Sequence, residues 1–90
     1  MLRIAICDDL PSEREMLSRF LRSYFAAHPY EYVLTEYDRG ETLVDDYEDG
    51  FASFDLIFLD IFLDGILGME AARSVRRFAP RVLIVFLTTT

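Results

Sequence analysis

Lysine is absent from this chain of 90 residues; all nine basic side chains are arginine, set against 16 acidic residues for a net charge of −7. Phosphate backbones are held by clustered Lys and Arg, so this balance argues against nucleic-acid binding by the chain itself. Cysteine is nearly absent as well. Cys7 stands alone, which excludes an internal disulfide framework and fits a reducing cytosol. No run approaches the roughly 18 apolar residues needed to span a membrane. The opening MLRIAICDD is too short and too quickly acidic for a signal peptide. Repeats, low-complexity segments and an internal linker are also lacking. These absences leave a soluble, cytoplasmic, single domain over residues 1–90 as the expectation.

What is present is core material. The chain is 52% hydrophobic, with 8 Phe and 5 Tyr, too apolar for a disordered segment. LRIAIC (2–7) suits a strand covered on both faces. Residues 11–28 carry Met16, Leu17, Phe20, Leu21, Tyr24 and Phe25 at helical spacing, with Pro11 suited to the first turn and Pro29 closing the far end. YEYVLTEY (30–37) has the mixed aromatic, β-branched and acidic character of a more exposed strand. Residues 41–48 form a weaker helix with Leu43, Val44 and Tyr47 on its apolar side. FDLIFLD (54–60) is a second doubly buried strand, and Asp64-Gly65 signals a turn. A third helix over 69–78 buries Met69, Ala72 and Val75, with Arg73, Arg76 and Arg77 where the helix dipole favours positive charge. RVLIVFL (81–87) is a fourth strand. The order β-α-β-α-β-α-β implies right-handed crossovers and a mostly parallel α/β sheet with helices on both faces.

Within LIFLDIFLDG (56–65), Asp60 interrupts an apolar run, which is costly unless the carboxylate caps, binds or reacts. Ligands of open parallel sheets bind beyond the carboxyl ends of the strands. Asp8 and Asp9 follow the first strand, Asp60 ends the third, and Thr88 follows the fourth. If those strands are neighbours, three carboxylates meet and repel by about 1–4 kcal/mol per pair at ~4 Å. A cation or a proton must compensate. Hard oxygens with no His or Cys suitably placed favour Mg²⁺. A carboxylate beside that ion is a competent nucleophile toward phosphorus, with Thr88 placed to hydrogen-bond a phosphoryl group. Plainer roles compete: Asp9 as the cap of the helix at Pro11, Thr88 as a strand-end polar residue, Cys7 as small core filling, His28 as exposed and inert.

ICDD after the first strand, FDLIFLDIFLDGILGME and VFLT together resemble the receiver domain of two-component response regulators, in the style of the LytTR-type subfamily. The resemblance runs in order over the whole chain. It implies a flavodoxin-like, doubly wound parallel sheet with strand order 2-1-3-4, the fifth strand and fifth helix having no counterpart before Thr90. It further implies that Asp60 accepts a phosphoryl group from a sensor histidine kinase. Asp8, Asp9, Asp60 and the main-chain carbonyl of Phe62 would hold Mg²⁺, and the Thr88 hydroxyl would move toward the phosphoryl group. Gly68 matches the family's glycine at the start of the third helix. Such a domain normally controls an attached DNA-binding output domain and is not an enzyme beyond its own phosphorylation and dephosphorylation.

Two departures stand out. Leu63-Asp64 occupies the place of the family's usual Met-Pro, and the family's lysine and the aromatic partner of the threonine would lie past Thr90, so an N-terminal portion of a receiver is expected. A bare apolar strand at 81–87 invites pairing with another chain, so a homodimer through that strand is expected too. The competing function is a non-catalytic dimerisation or interaction module that keeps the fold without a working switch. A fragment of an aspartate-nucleophile phosphohydrolase fits less well, because those enzymes want a second Asp two positions after the nucleophile and Phe62 stands there.

Overall fold

The computed structural model describes residues 1–63 and 66–88; the turn expected at Asp64-Gly65 lies outside the described residues. The elements are β1 (Leu2–Cys7), α1 (Pro11–Ala27), β2 (Tyr32–Tyr37), α2 (Gly40–Glu48), β3 (Leu56–Asp60), α3 (Gly68–Phe78) and β4 (Leu83–Leu87). All strands are parallel, in the order β2-β1-β3-β4. This is the flavodoxin-like α/β arrangement expected from the sequence. Each helical crossover lets a strand return in the same direction beside a neighbour, which a tight hairpin cannot do.

Alternation along the two central strands divides the core. Ala5, Cys7, Ile57 and Leu59 face α2 and α3, packing with Leu43, Tyr47, Ala71, Ala72 and Val75. Ile4 and Ile6 face the other way, against Leu21 and Phe25 of α1. β1 and β3 are thus apolar on both sides, which is why they read as continuous hydrophobic runs.

Several expected boundaries shift for identifiable reasons. Strands expected from positions 30, 54 and 81 begin two residues later, at Tyr32, Leu56 and Leu83. The residues before them spend their hydrogen bonds on turns: Tyr30 N–H donates to the His28 carbonyl at 2.8 Å and Val82 N–H to that of Ala79 at 3.4 Å. Phe54 N–H goes to the Tyr47 hydroxyl at 3.3 Å. α1 buries only part of its apolar stripe. Leu21 and Phe25 are covered, whereas Met16 and Phe20 are each 66% exposed. The pairs Leu56–Leu83, Phe58–Val85 and Asp60–Leu87 put alternate β4 residues on the α1 side of the sheet. Among the described residues nothing covers Leu83 there, and it is 61% exposed. In α3 the covered residues are Ala71, Ala72 and Val75, and Met69 is exposed. Arg76 does more than favour the dipole: its Nη1 donates to the carbonyls of Pro80 and Val82, tying the helix end to the start of β4.

Candidate metal centre at the strand ends

Because β1 pairs directly with β3 (Cys7 opposite Leu59), the next residue on each, Asp8 and Asp60, emerges at the same edge. Carboxylate oxygens of Asp8, Asp9 and Asp60 lie within 4.8 Å of one another. Asp8 and Asp60 are each 1% exposed and Asp9 is half-buried. Two of the three are braced by a main-chain N–H two residues on, as Asx turns. Leu10 N–H donates to Asp8 Oδ1 at 3.0 Å and Phe62 N–H to Asp60 Oδ1 at 3.1 Å. α1 starts at Pro11 with Leu10 in the cap position and no side-chain cap bond. Asp9 therefore does not cap the helix, and its place is with the other acids.

The electrostatics are unbalanced. The two ion pairs among the described residues are Arg14–Glu36 and Arg19–Glu15, neither involving the three aspartates. Burial first, then the charges of Asp60, Asp9 and Glu13, raise the Asp8 pKa above its ordinary value, opposed in part by the Leu10 N–H. The same surroundings push the Cys7 thiol up to about 12, chiefly through burial and then through Asp8, Asp38, Asp60 and Asp9. Cys7 is a protonated core residue, unsuited to ligation or nucleophilic attack. The donor set is therefore oxygen only, braced and in excess of negative charge, which fits a small hard cation such as Mg²⁺.

The other expected residues surround this cluster. Thr88 is exposed and directly follows Leu87, the register partner of Asp60. It borders a cavity of about 300 Å³ together with Asp8, Glu13, Met16, Leu17, Phe20 and Leu87. Phe62 meets Asp60 through its N–H, and the residue is 62% exposed. Gly68 is tied to this geometry. A Cβ there would fall on the Asp60 carbonyl oxygen and 2.8 Å from the Ile61 Cα, and the Gly68 N–H donates to the Ile61 carbonyl at 3.0 Å. Only glycine lets α3 start this close to the end of β3.

Sequence reading missed two contributors. Arg14 Nη1 donates to the main-chain carbonyl of Asp8 at 2.7 Å, and Glu41 Oε1 accepts the Ile66 N–H at 3.3 Å, linking α2 to the segment after Asp60. Neither has a local signature, because each contact joins separate elements.

A sequence model described as the response regulator receiver domain matches residues 4–90. No curated protein matches the chain. Solved structures do. The response regulator TrrA of Thermotoga maritima, in complex with Mg²⁺ and BeF, is 30% identical with a TM-score of 0.82, over 100% of this chain and 71% of its own. The chemotaxis protein CheY4 of Vibrio cholerae is 25% identical with a TM-score of 0.80, over 100% of this chain and 70% of its own. The receiver domain of a Pseudomonas aeruginosa sensor histidine kinase, with magnesium in its active-site cleft, is 27% identical with a TM-score of 0.80, over 97% of this chain and 66% of its own. A match over nearly the whole chain, on a sheet that gathers its acids at the ends of β1 and β3, makes this protein a member of the response regulator receiver domain family.

Proposed function

We propose that this receiver is a phosphoacceptor switch in which Asp60 takes a phosphoryl group from a sensor histidine kinase. One observation carries the reading: Asp8, Asp9 and Asp60 converge within 4.8 Å at adjacent strand ends, without a basic partner among the described residues. Asp8, Asp9, Asp60 and the Phe62 carbonyl would hold Mg²⁺, which when bound neutralises phosphoryl oxygens. Magnesium in the cleft of the Pseudomonas receiver and the Mg²⁺–BeF complex of TrrA support that assignment.

In the transfer, a carboxylate oxygen of Asp60 forms a bond to phosphorus as the phosphorus–nitrogen bond of a phosphohistidine protonated on its other ring nitrogen breaks and neutral imidazole departs. The Asx turn with Phe62 N–H orients the nucleophile, and orientation of this kind carries much of the catalysis of phosphoryl transfer. Thr88, at the end of β4, supplies a hydroxyl to the phosphoryl group. The protein acts on no separate substrate, at most adding and losing its own phosphoryl group. ICDD (6–9) and FLDI (58–61) support the LytTR-type subfamily, and with it control of an attached DNA-binding output domain. No helix of the described residues is long and apolar enough to cross a membrane, which suits a cytoplasmic partner of a kinase.

Incubation with Mg²⁺ and a small phosphodonor, read by intact mass, tests the switch. The unmodified protein gains one phosphoryl group and Asp60→Asn gains none; equal incorporation by the two would remove the reading.

A second reading, a dimerisation module working through residues 81–87, is favoured by one feature. Among the described residues β4 is an edge strand, with Leu83 61% exposed and Phe86 38% exposed. Light scattering across a concentration series tests it, and a strictly monomeric profile would count against a homodimer.

A further inference from the structure

Arg14 stands one turn into α1, its side chain 19% exposed. Its Nη1 donates to the Asp8 carbonyl at 2.7 Å, and its Nε sits 3.6 Å from Oε1 of Glu36 on β2. Arg14 touches the main chain of one of the three clustered aspartates, whose carboxylates are the strongest partners open to a guanidinium. It takes none: its charge is directed to Glu36 and its fork to a main-chain oxygen. Asp8 is thereby held from several sides. Its N–H donates to the Tyr37 carbonyl at 3.0 Å, its carbonyl accepts from Arg14, and its Oδ1 accepts from Leu10 N–H. β2, α1 and the loop after β1 are joined through one side chain.

We propose, resting on the receiver reading above, that Arg14 is a positioning residue for the metal-binding acids and that Glu36 keeps its charge away from them. Arg14 acts through Asp8. It fixes the loop so that Asp8 and Asp9 already face Asp60 before a cation binds, and the affinity for that cation depends on this preorganisation. Glu36 matters for a different reason. Without it, the guanidinium is free to turn toward the carboxylates and compete with the cation as a counter-charge.

The test is calorimetric Mg²⁺ titration of the intact protein and its variants, with thermal melts in chelator as a separate measure of folding. Arg14→Ala raises the Mg²⁺ Kd about 10–100-fold, the usual scale for losing a group that orients metal ligands. The rate of phosphorylation by a small donor falls at low Mg²⁺ and recovers when Mg²⁺ is saturating. Arg14→Lys rescues only part of the affinity, because an ammonium lacks the planar fork that serves two acceptors. Glu36→Ala also weakens Mg²⁺ binding, although its side chain is 40% exposed and its loss costs little stability. An unchanged Kd in Arg14→Ala, with or without a lower melting temperature, reduces Arg14 to a structural role and overturns the proposal. If Arg14→Ala does not fold, Glu36→Ala decides, and an unchanged Kd there overturns it. Failure of the unmodified protein to bind Mg²⁺ removes the metal-site reading itself, and the role of Arg14 falls with it.

Discussion

Asp8 and Asp60 are buried carboxylates, each 1% exposed, in a cluster with no basic partner among the described residues. Burial disfavours the charged carboxylate and the neighbouring like charges add to that, and the raised pKa of Asp8 expresses both costs. A raised carboxyl pKa means that the folded state holds its proton more tightly than the unfolded chain. The stabilising contribution is therefore complete below the ordinary value of 3.8 and is lost as pH rises through the higher folded-state value. Melts of metal-free protein should accordingly show this contribution falling as pH rises from the ordinary carboxylate range toward neutrality, and Asp8→Asn should flatten that dependence. A steeper fall in Asp8→Asn than in the unmodified protein would contradict the assignment. The carboxylates were legible from their places after apolar strands, whereas Arg14 was not, since nothing at its position in the chain points to the carbonyl of Asp8.

At the scale of elements, the join between β3 and α3 is the most constrained. Gly68 leaves no room for a side chain over the Asp60 carbonyl. Gly68→Ala must push the helix start away from Asp60, at a cost of about 1–3 kcal/mol as for other overpacked sites. Denaturant unfolding should show that loss, together with slower phosphorylation of Asp60. The helices also rank by coverage. Leu21→Ala, deleting a side chain buried against Ile4 and Ile6, should cost about 2–5 kcal/mol. Met16→Ala, two-thirds exposed on the same helix, should stay within about 0.5 kcal/mol. Periodicity marked both residues as apolar face, because spacing records which residues share a helix side and not how far the neighbouring sheet extends beneath it.

For the molecule as a whole, a ligand that binds the folded state alone shifts its stability by mass action. Mg²⁺ at about 100 times its Kd should add about 2.7 kcal/mol, or roughly 4–8 °C per kcal/mol in melting temperature for a chain of this size. The gain should be largest near neutral pH, where the unpaired carboxylates are most costly, and should vanish in excess chelator. An equal rise with Asp8 and Asp9 both changed to Asn would place the ion elsewhere. β4 sets a second property at this scale. With Leu83 and Phe86 exposed on β4, the edge strand among the described residues, Leu83→Lys should lower any self-association seen by light scattering while leaving Mg²⁺ binding intact.

The order of elements, the doubly apolar central strands and the identity of the acids were settled by sequence alone. Each depends on patterns that repeat within a few residues: apolar runs, helical spacing, and carboxylates directly after strands. The tertiary structure decided what those acids meet. Strand order β2-β1-β3-β4 brings Asp60 to Asp8 and Asp9 across 51 and more positions of chain. It also seats Gly68 on the Asp60 carbonyl, turns Arg14 from the carboxylates toward Glu36 and Asp8, and leaves half of the α1 stripe uncovered. These are distances between elements far apart in the chain. They are set by sheet register and helix packing, which no local pattern encodes.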